Sequence, residues 1–316
     1  MSLAISRKRA EAANGSPPGS AATPRRRRRG DGLAAAGFLG PSLGGFAIFT
    51  AFPIIASIAV AFTVWPLAGT PTFTGIDNFV QLLTNDPAFL KTIVNTLVFV
   101  VAYVPVNLAF SMAIAAWISP RIRGANVYRV LLFVPVVTPM VANAAVWQIM
   151  LIPNGLIDGV WRSLFGVAAP NFLGDTSTAM ISVVVMSLWQ GFGYNLLIFS
   201  SSLQAVPETL MDSASIDGAG PIRRFFSIKI PLMSPSIFFA ATMTLITSFQ
   251  VFAQPFVLTN GGPDSSTTTM VMYLYRTGFQ YFNLGLASAV GVILFVMILA
   301  VTGLMFVAQK KWVHYE

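Results

Sequence analysis

Long apolar stretches alternate with short polar ones along nearly the whole chain. A bilayer core of about 30 Å needs roughly 20 helical residues. Six stretches meet that length: residues 33–64, 93–118, 130–152, 179–204, 236–258 and 284–308. None of them contains Asp, Glu, Lys or Arg. The pattern predicts an all-α, polytopic membrane protein with six transmembrane helices over residues 33–316, preceded by a polar tail, 1–32. The longest polar interruption, PETLMDSASIDGAGPIRRFFSIKIPLMSP at 207–235, reads as two short helices with a break between them. Pro207 suits a first helical position, and Glu208 puts an acid where the helix dipole favours one. Gly218 and Gly220 supply the flexible exit that helix ends prefer, and Pro221 restarts a helix. Ser213, Ala214, Ser215 and Ala219 are short enough for another protein's surface to approach closely.

Composition agrees with the pattern. Of 316 residues, 55% are hydrophobic and 9% charged, against about 25% charged in a soluble domain. With no cysteine there is no thiol or disulfide chemistry, and the single His314 excludes His-based metal sites and imidazole catalysis. No phosphate-binding loop of the G-x-x-x-x-G-K-[ST] type occurs, so the chain does not hydrolyse ATP by that route. The basic residues sort the connections. With the N-terminus inside, 16 of the 19 fall on the inner side, leaving only Lys91, Arg162 and Arg276 outside. The positive-inside rule then gives N-in/C-in, with the loop 205–235 in the cytoplasm. The tail is too polar to fold alone. Its five arginines, 25–29, read as a topogenic flank touching anionic membrane lipid, with nucleic-acid binding the weaker reading. The apolar run after the tail is too long for the core of a cleaved signal peptide.

Two motifs place the chain near a known family. Asp212-Ser213-Ala214, Gly218, Ile228, Ile230 and Pro231 resemble the "EAA" loop of membrane subunits of binding-protein-dependent ABC importers, with Asp for Glu and Ser for Ala. Leu258-Thr259-Asn260-Gly261-Gly262-Pro263, followed by Thr267, Thr268 and Thr269, matches a second hallmark at the usual distance. The similarity is to the sugar and glycerol-phosphate permeases, the group containing the maltose-transporter inner-membrane subunit, and covers about residues 33–316. It implies the type I ABC importer permease fold in a bacterial plasma membrane. It implies as partners a second homologous permease, two ATPase subunits that bind ATP and Mg, and an extracytoplasmic solute-binding protein, with no cofactor in this chain. It also implies that Glu208, Asp212, Ser213, Ala214, Asp217, Gly218, Ala219 and Arg223 belong to a coupling helix docking on an ATPase. A secondary carrier working without ATP is the alternative reading.

Uncharged polar and aromatic residues gather in two stretches: Trp189, Gln190, Tyr194 and Asn195 in the fourth, and Ser248, Phe249, Gln250, Phe252 and Gln254 in the fifth. On a helix Phe249 and Phe252 lie three apart, and Gln250 and Gln254 four apart, so each pair shares a face. Amides bind hydroxyls and aromatic rings stack on sugar faces, but the same residue types also join membrane helices by hydrogen bonds. The resemblance favours the solute path, since the family's solute contacts fall at about these positions. Asn143, Trp147 and Gln148 are weaker candidates. Pro53, Pro105, Pro135, Pro139 and Pro255 interrupt the spans as kinks or hinges.

Overall fold

The computed structural model describes residues 29–65, 69–118 and 124–313, with side chains from residue 37 on and without that of residue 311. The expected tail therefore lies outside the described residues, apart from its last four positions, which open helix α1 (Arg29–Phe46). The chain divides at Ile54 into two units. In the first, α1 passes into a π-helical turn at Ala47–Ala51. Apolar side chains stand free here, with Phe49 80% exposed.

Helix α2 (Phe52–Val60) ends short of the expected boundary at residue 64. Strand β1 (Thr63–Val64) follows, pairing antiparallel with β2 (Thr72–Phe73), Thr63 opposite Phe73. Asn78, on the short α3 (Asp77–Val80), donates to the carbonyls of Ala61 and Thr63, both at 2.9 Å, and fixes the ribbon. Helix α4 (Pro87–Trp117) starts before the expected residue 93, because local capping rather than hydropathy sets its start. Asp86 accepts from the Phe89 N–H at 2.8 Å, and Pro87 sits where no donor is needed.

The expected third span is not one helix. It divides into α5 (Ala125–Val137) and α6 (Met140–Leu151), with Thr138 and Pro139 extended between them. Helix α7 (Leu156–Phe165) follows, its Asp158 paired with Arg162 at 3.0 Å. Helix α8 (Thr176–Ala205) is unbroken. The polar loop carries α9 (Glu208–Ile216), α10 (Pro221–Arg224), a π-helical turn Phe225–Lys229 and α11 (Ile230–Leu232). The expected fifth span also divides, into α12 (Ser234–Phe249) and α13 (Ala253–Thr259). Then come α14 (Met270–Tyr275), a π-helical turn Arg276–Gln280, and α15 (Leu284–Ala308).

Among the described residues, five helical stretches are long and apolar enough to cross a bilayer: Gly37–Val60, Pro87–Trp117, Met140–Phe165, Thr176–Ala205 and Leu284–Ala308. The pair Pro221–Leu232 and Ser234–Phe249, bent by 71°, makes a sixth. Helices α4 and α8 form the most extensive pairing and centre the second unit. Lipid gives helices little apolar reason to associate, so close approach and hydrogen bonds decide their packing. At Gly193 of α8 an added Cβ would lie 2.8 Å from the Leu132 carbonyl oxygen, which is how closely α5 rests there. Asn195 of α8 donates to Asn107 Oδ1 of α4 at 2.6 Å and to Thr244 Oγ1 of α12 at 2.8 Å, tying three helices at one level.

Candidate functional site

Both helix breaks border one cleft of about 420 Å³. Phe99 and Tyr103 of α4, Met140 of α6, Ser187 of α8, and Thr247, Ser248 and Gln250 to Gln254 around the α12–α13 break line it. No Asp, Glu, Lys, Arg or His is among these residues. A broken helix frees carbonyls that must find donors where there is no water. At the first break, Gln190 Nε2 donates to the Thr138 carbonyl at 3.0 Å, while Gln190 Oε1 accepts from Asn143 Nδ2 at 2.8 Å. One amide thus fastens α6 and the break to α8. At the second break, Pro255 has no N–H for the Val251 carbonyl four residues back. The Thr269 hydroxyl takes that place at 2.8 Å. Gln148 Nε2 reaches the Leu258 carbonyl at 3.3 Å, joining α6 to α13.

The sequence candidates separate in this geometry. Gln250, Phe252 and Gln254 reach the cleft wall. The expected face sharing does not hold, because Gln250, Val251 and Phe252 are the break itself and the helical register is lost across it. Phe249 points elsewhere, 1% exposed in a core cluster with Phe89, Val100 and Leu286. Gln190 and Asn195 are buried and engaged between helices. Trp189 and Tyr194 remain exposed on α8, away from the cleft wall. Asn143 and Gln148 act in the fastening of α6, and Trp147 packs beside Val183 and Leu258. Tyr103 and Ser187 were missed by sequence reasoning. The available signal was the spacing of Tyr103 and Asn107, which share a face and a 3.3 Å hydrogen bond.

The NGGP segment is fastened to α4 and to the turn after α14. Asn95 of α4 donates to the Ser265 and Thr268 carbonyls at 2.7 and 2.9 Å, and Lys91 to that of Asp264. Arg276 donates to the Asn260 carbonyl at 2.7 Å. Nearby, the Tyr273 hydroxyl donates to Asp86, and burial followed by that bond raises the phenol's pKa.

The polar loop is the second candidate region. Pro207 is the extended residue before α9 rather than its first helical one, with Glu208 in the first turn. Gly218 leaves the helix at φ +78°, a left-handed conformation that disfavours a side chain. Glu208, Asp212, Ser213, Asp217, Gly218 and Arg223 are exposed, and Ala214 and Ala219 are half-buried. Among them stand bare apolar side chains: Ile216 at 87% exposed, with Ile222 and Phe226 close behind. Beside α9 lies a recess of about 480 Å³ walled by Glu208, Asp212, Arg224 and Lys229.

The family described as "Binding-protein-dependent transport system inner membrane component" matches residues 106–314. A probable ABC transporter permease protein, YesP of Bacillus subtilis, is 33% identical over 294 residues, covering 91% of this chain and 94% of the relative. The sn-glycerol-3-phosphate transport system permease protein UgpA of Yersinia pestis is 34% identical over 256 residues, 80% of this chain and 86% of that one. A chain of a bacterial ABC transporter that imports the acidic polysaccharide alginate superposes with a TM-score of 0.77 at 22% identity, over 89% of this chain and 96% of that one.

Proposed function

Because the chain belongs to the binding-protein-dependent transport system inner membrane components, a family of multi-pass membrane proteins rather than enzymes, we propose that it is a permease subunit of an ABC importer for a carbohydrate or glycerol-phosphate-type solute. The observation that carries the reading is the uncharged cleft at the two helix breaks, walled by amides, hydroxyls and aromatic rings. Such groups suit a polyhydroxylated solute, whose hydroxyls need partners and whose ring faces are apolar. Gln250, Gln254 and Phe252 are its principal contacts in this chain. The name of the Yersinia relative supports a glycerol-phosphate solute. The absence of basic residues from the cleft wall favours a neutral one, unless a phosphate is held by helix N-termini or the partner permease.

In this reading residues 33–316 form the permease domain, N-in/C-in, and residues 1–32 a basic tail at the inner lipid surface. The loop 205–235 faces the cytoplasm and docks on an ATPase through α9. The exposed Ile216, Ile222 and Phe226 support that role, since an aqueous loop has no other use for them. ATP and Mg are bound by the two partner ATPase subunits. One docking loop for two ATPases calls for a second permease, and an external solute-binding protein delivers the cargo. Purification of the tagged chain in mild detergent tests this: a second permease and ATPase chains co-purify, and the cognate binding protein, isolated with its solute, yields a sugar or glycerol-phosphate compound. A chain that purifies alone, or a binding protein carrying an amino acid or metal, refutes the proposal.

A further inference from the structure

A row of four rings leads away from the cleft wall. Phe252, at the break, stacks on Phe256 with centroids 5.1 Å apart and an interplanar angle of 27°. Both meet Tyr275, at 5.2 and 5.7 Å. Tyr275 in turn stacks on Phe279 at 5.6 Å and 28°. The row consists of two pairs at i, i+4, one on the α12–α13 junction and one on α14 and its π-helical turn. Arg276 holds the two elements in register through its bonds to the carbonyl and side chain of Asn260, at 2.7 and 3.2 Å. A hydrophobic core would enclose these rings. Instead the three inner ones are half-buried and Phe279, at the far end, is 65% exposed.

We infer that this row is an outer subsite on which the pyranose ring of a sugar stacks on its way to the cleft. The inference rests on the transport reading above and extends it beyond the cleft. Three features carry it. The row is continuous with the cleft through Phe252, which belongs to both. Its ring faces and edges match the apolar C–H faces of a pyranose. Its rim carries the donors that ring hydroxyls need, the Arg276 guanidinium and the exposed Gln280 amide.

The chain has no cysteine, so single cysteines report their own surroundings. In the assembled transporter in proteoliposomes, Gln254→Cys, Tyr275→Cys and Phe279→Cys are treated with a water-soluble methanethiosulfonate and with a lipid-soluble maleimide. Leu299→Cys, on the exposed apolar side of α15, is the lipid reference. The inference predicts that all three positions react with the water-soluble reagent within about tenfold of one another, and that Leu299→Cys reacts only with the maleimide. It further predicts that 100 mM methyl α-glucoside slows labelling of Phe279→Cys at least twofold, and that 100 mM glycerol does not. Labelling at Gln254→Cys but only by maleimide at 275 and 279 makes the row lipid-facing and overturns the subsite. No labelling at 275 and 279 by either reagent assigns the row to a protein interface and also overturns it. Equal effects of glucoside and glycerol, or none, exclude ring stacking. An unreactive Gln254→Cys overturns the underlying transport reading instead.

Discussion

Gln190→Leu removes one amide and two helix-fastening bonds at once. The side chain is 6% exposed, donates to the Thr138 carbonyl at 3.0 Å and accepts from Asn143 Nδ2 at 2.8 Å. Leucine conserves the volume, so the loss is almost wholly polar. Interhelical hydrogen bonds in membranes contribute about 0.6 kcal/mol on average and about 1.7 at most. Losing two predicts a destabilisation of about 1–3 kcal/mol, with the upper part expected because Thr138 sits at a break with no helical donor of its own. The assay is reversible unfolding in mixed detergent, applied to Gln190→Leu, Asn143→Ala and the double variant. The two residues share a bond, so the double variant should fall short of the sum of the singles by about 0.5–1.5 kcal/mol. The same proteins reconstituted for uptake should retain their half-saturating solute concentration, since Gln190 is not on the cleft wall. Additive losses, or stability within about 0.3 kcal/mol of the parent, would refute the role given to this amide. A large shift in half-saturation at parental stability would place Gln190 among the solute contacts after all.

Gln250→Ala should behave oppositely. Its side chain makes no hydrogen bond to the described residues, so melting temperature holds while solute binding loses about 1–3 kcal/mol, roughly tenfold in half-saturation or flux, with basal ATPase activity preserved. A lowered melting temperature with normal uptake would return it to packing. A Cβ added at Gly218 meets no atom within 4 Å, so for Gly218→Leu the main folding cost expected is that of the left-handed backbone, about 1–2 kcal/mol. It should assemble yet uncouple ATP hydrolysis from uptake, and full uptake by the assembled variant would count against docking through this loop. Deleting residues 1–20, which leaves the arginine run in place, should change uptake less than twofold, as measured against membrane abundance.

The apolar stretches were legible because length and charge exclusion in lipid leave few other solutions. The polar loop was legible because Pro and Gly punctuate it. The breaks were not. Pro255 was visible, but the chain parts at Gln250 to Phe252, where the Val251 carbonyl that the proline orphans meets a hydroxyl from Thr269, eighteen residues further on. The pairing of Gln250 with Gln254 on one face failed for the same reason. Gln190 and Asn195 were chosen for their residue type, and type does not separate an amide awaiting a solute from one already satisfied. Only the positions of Thr138 at the first break and of Asn143, Asn107 and Thr244 on three other helices settle which bonds each makes. Tyr103 was passed over because one tyrosine in an apolar stretch carries no pattern until Ser187 and the break come up beside it.

We propose that solute crosses this chain at the expense of ATP hydrolysed by separate subunits. Proteoliposomes holding the purified complex, with ATP on the side of the loop 205–235 and the solute-loaded binding protein on the other, test it directly. The expected result is accumulation that requires ATP and Mg, stops with a non-hydrolysable analogue, and continues when ionophores collapse every ion gradient. Accumulation by this chain alone, without nucleotide and abolished by ionophore, would contradict it and identify a gradient-driven carrier.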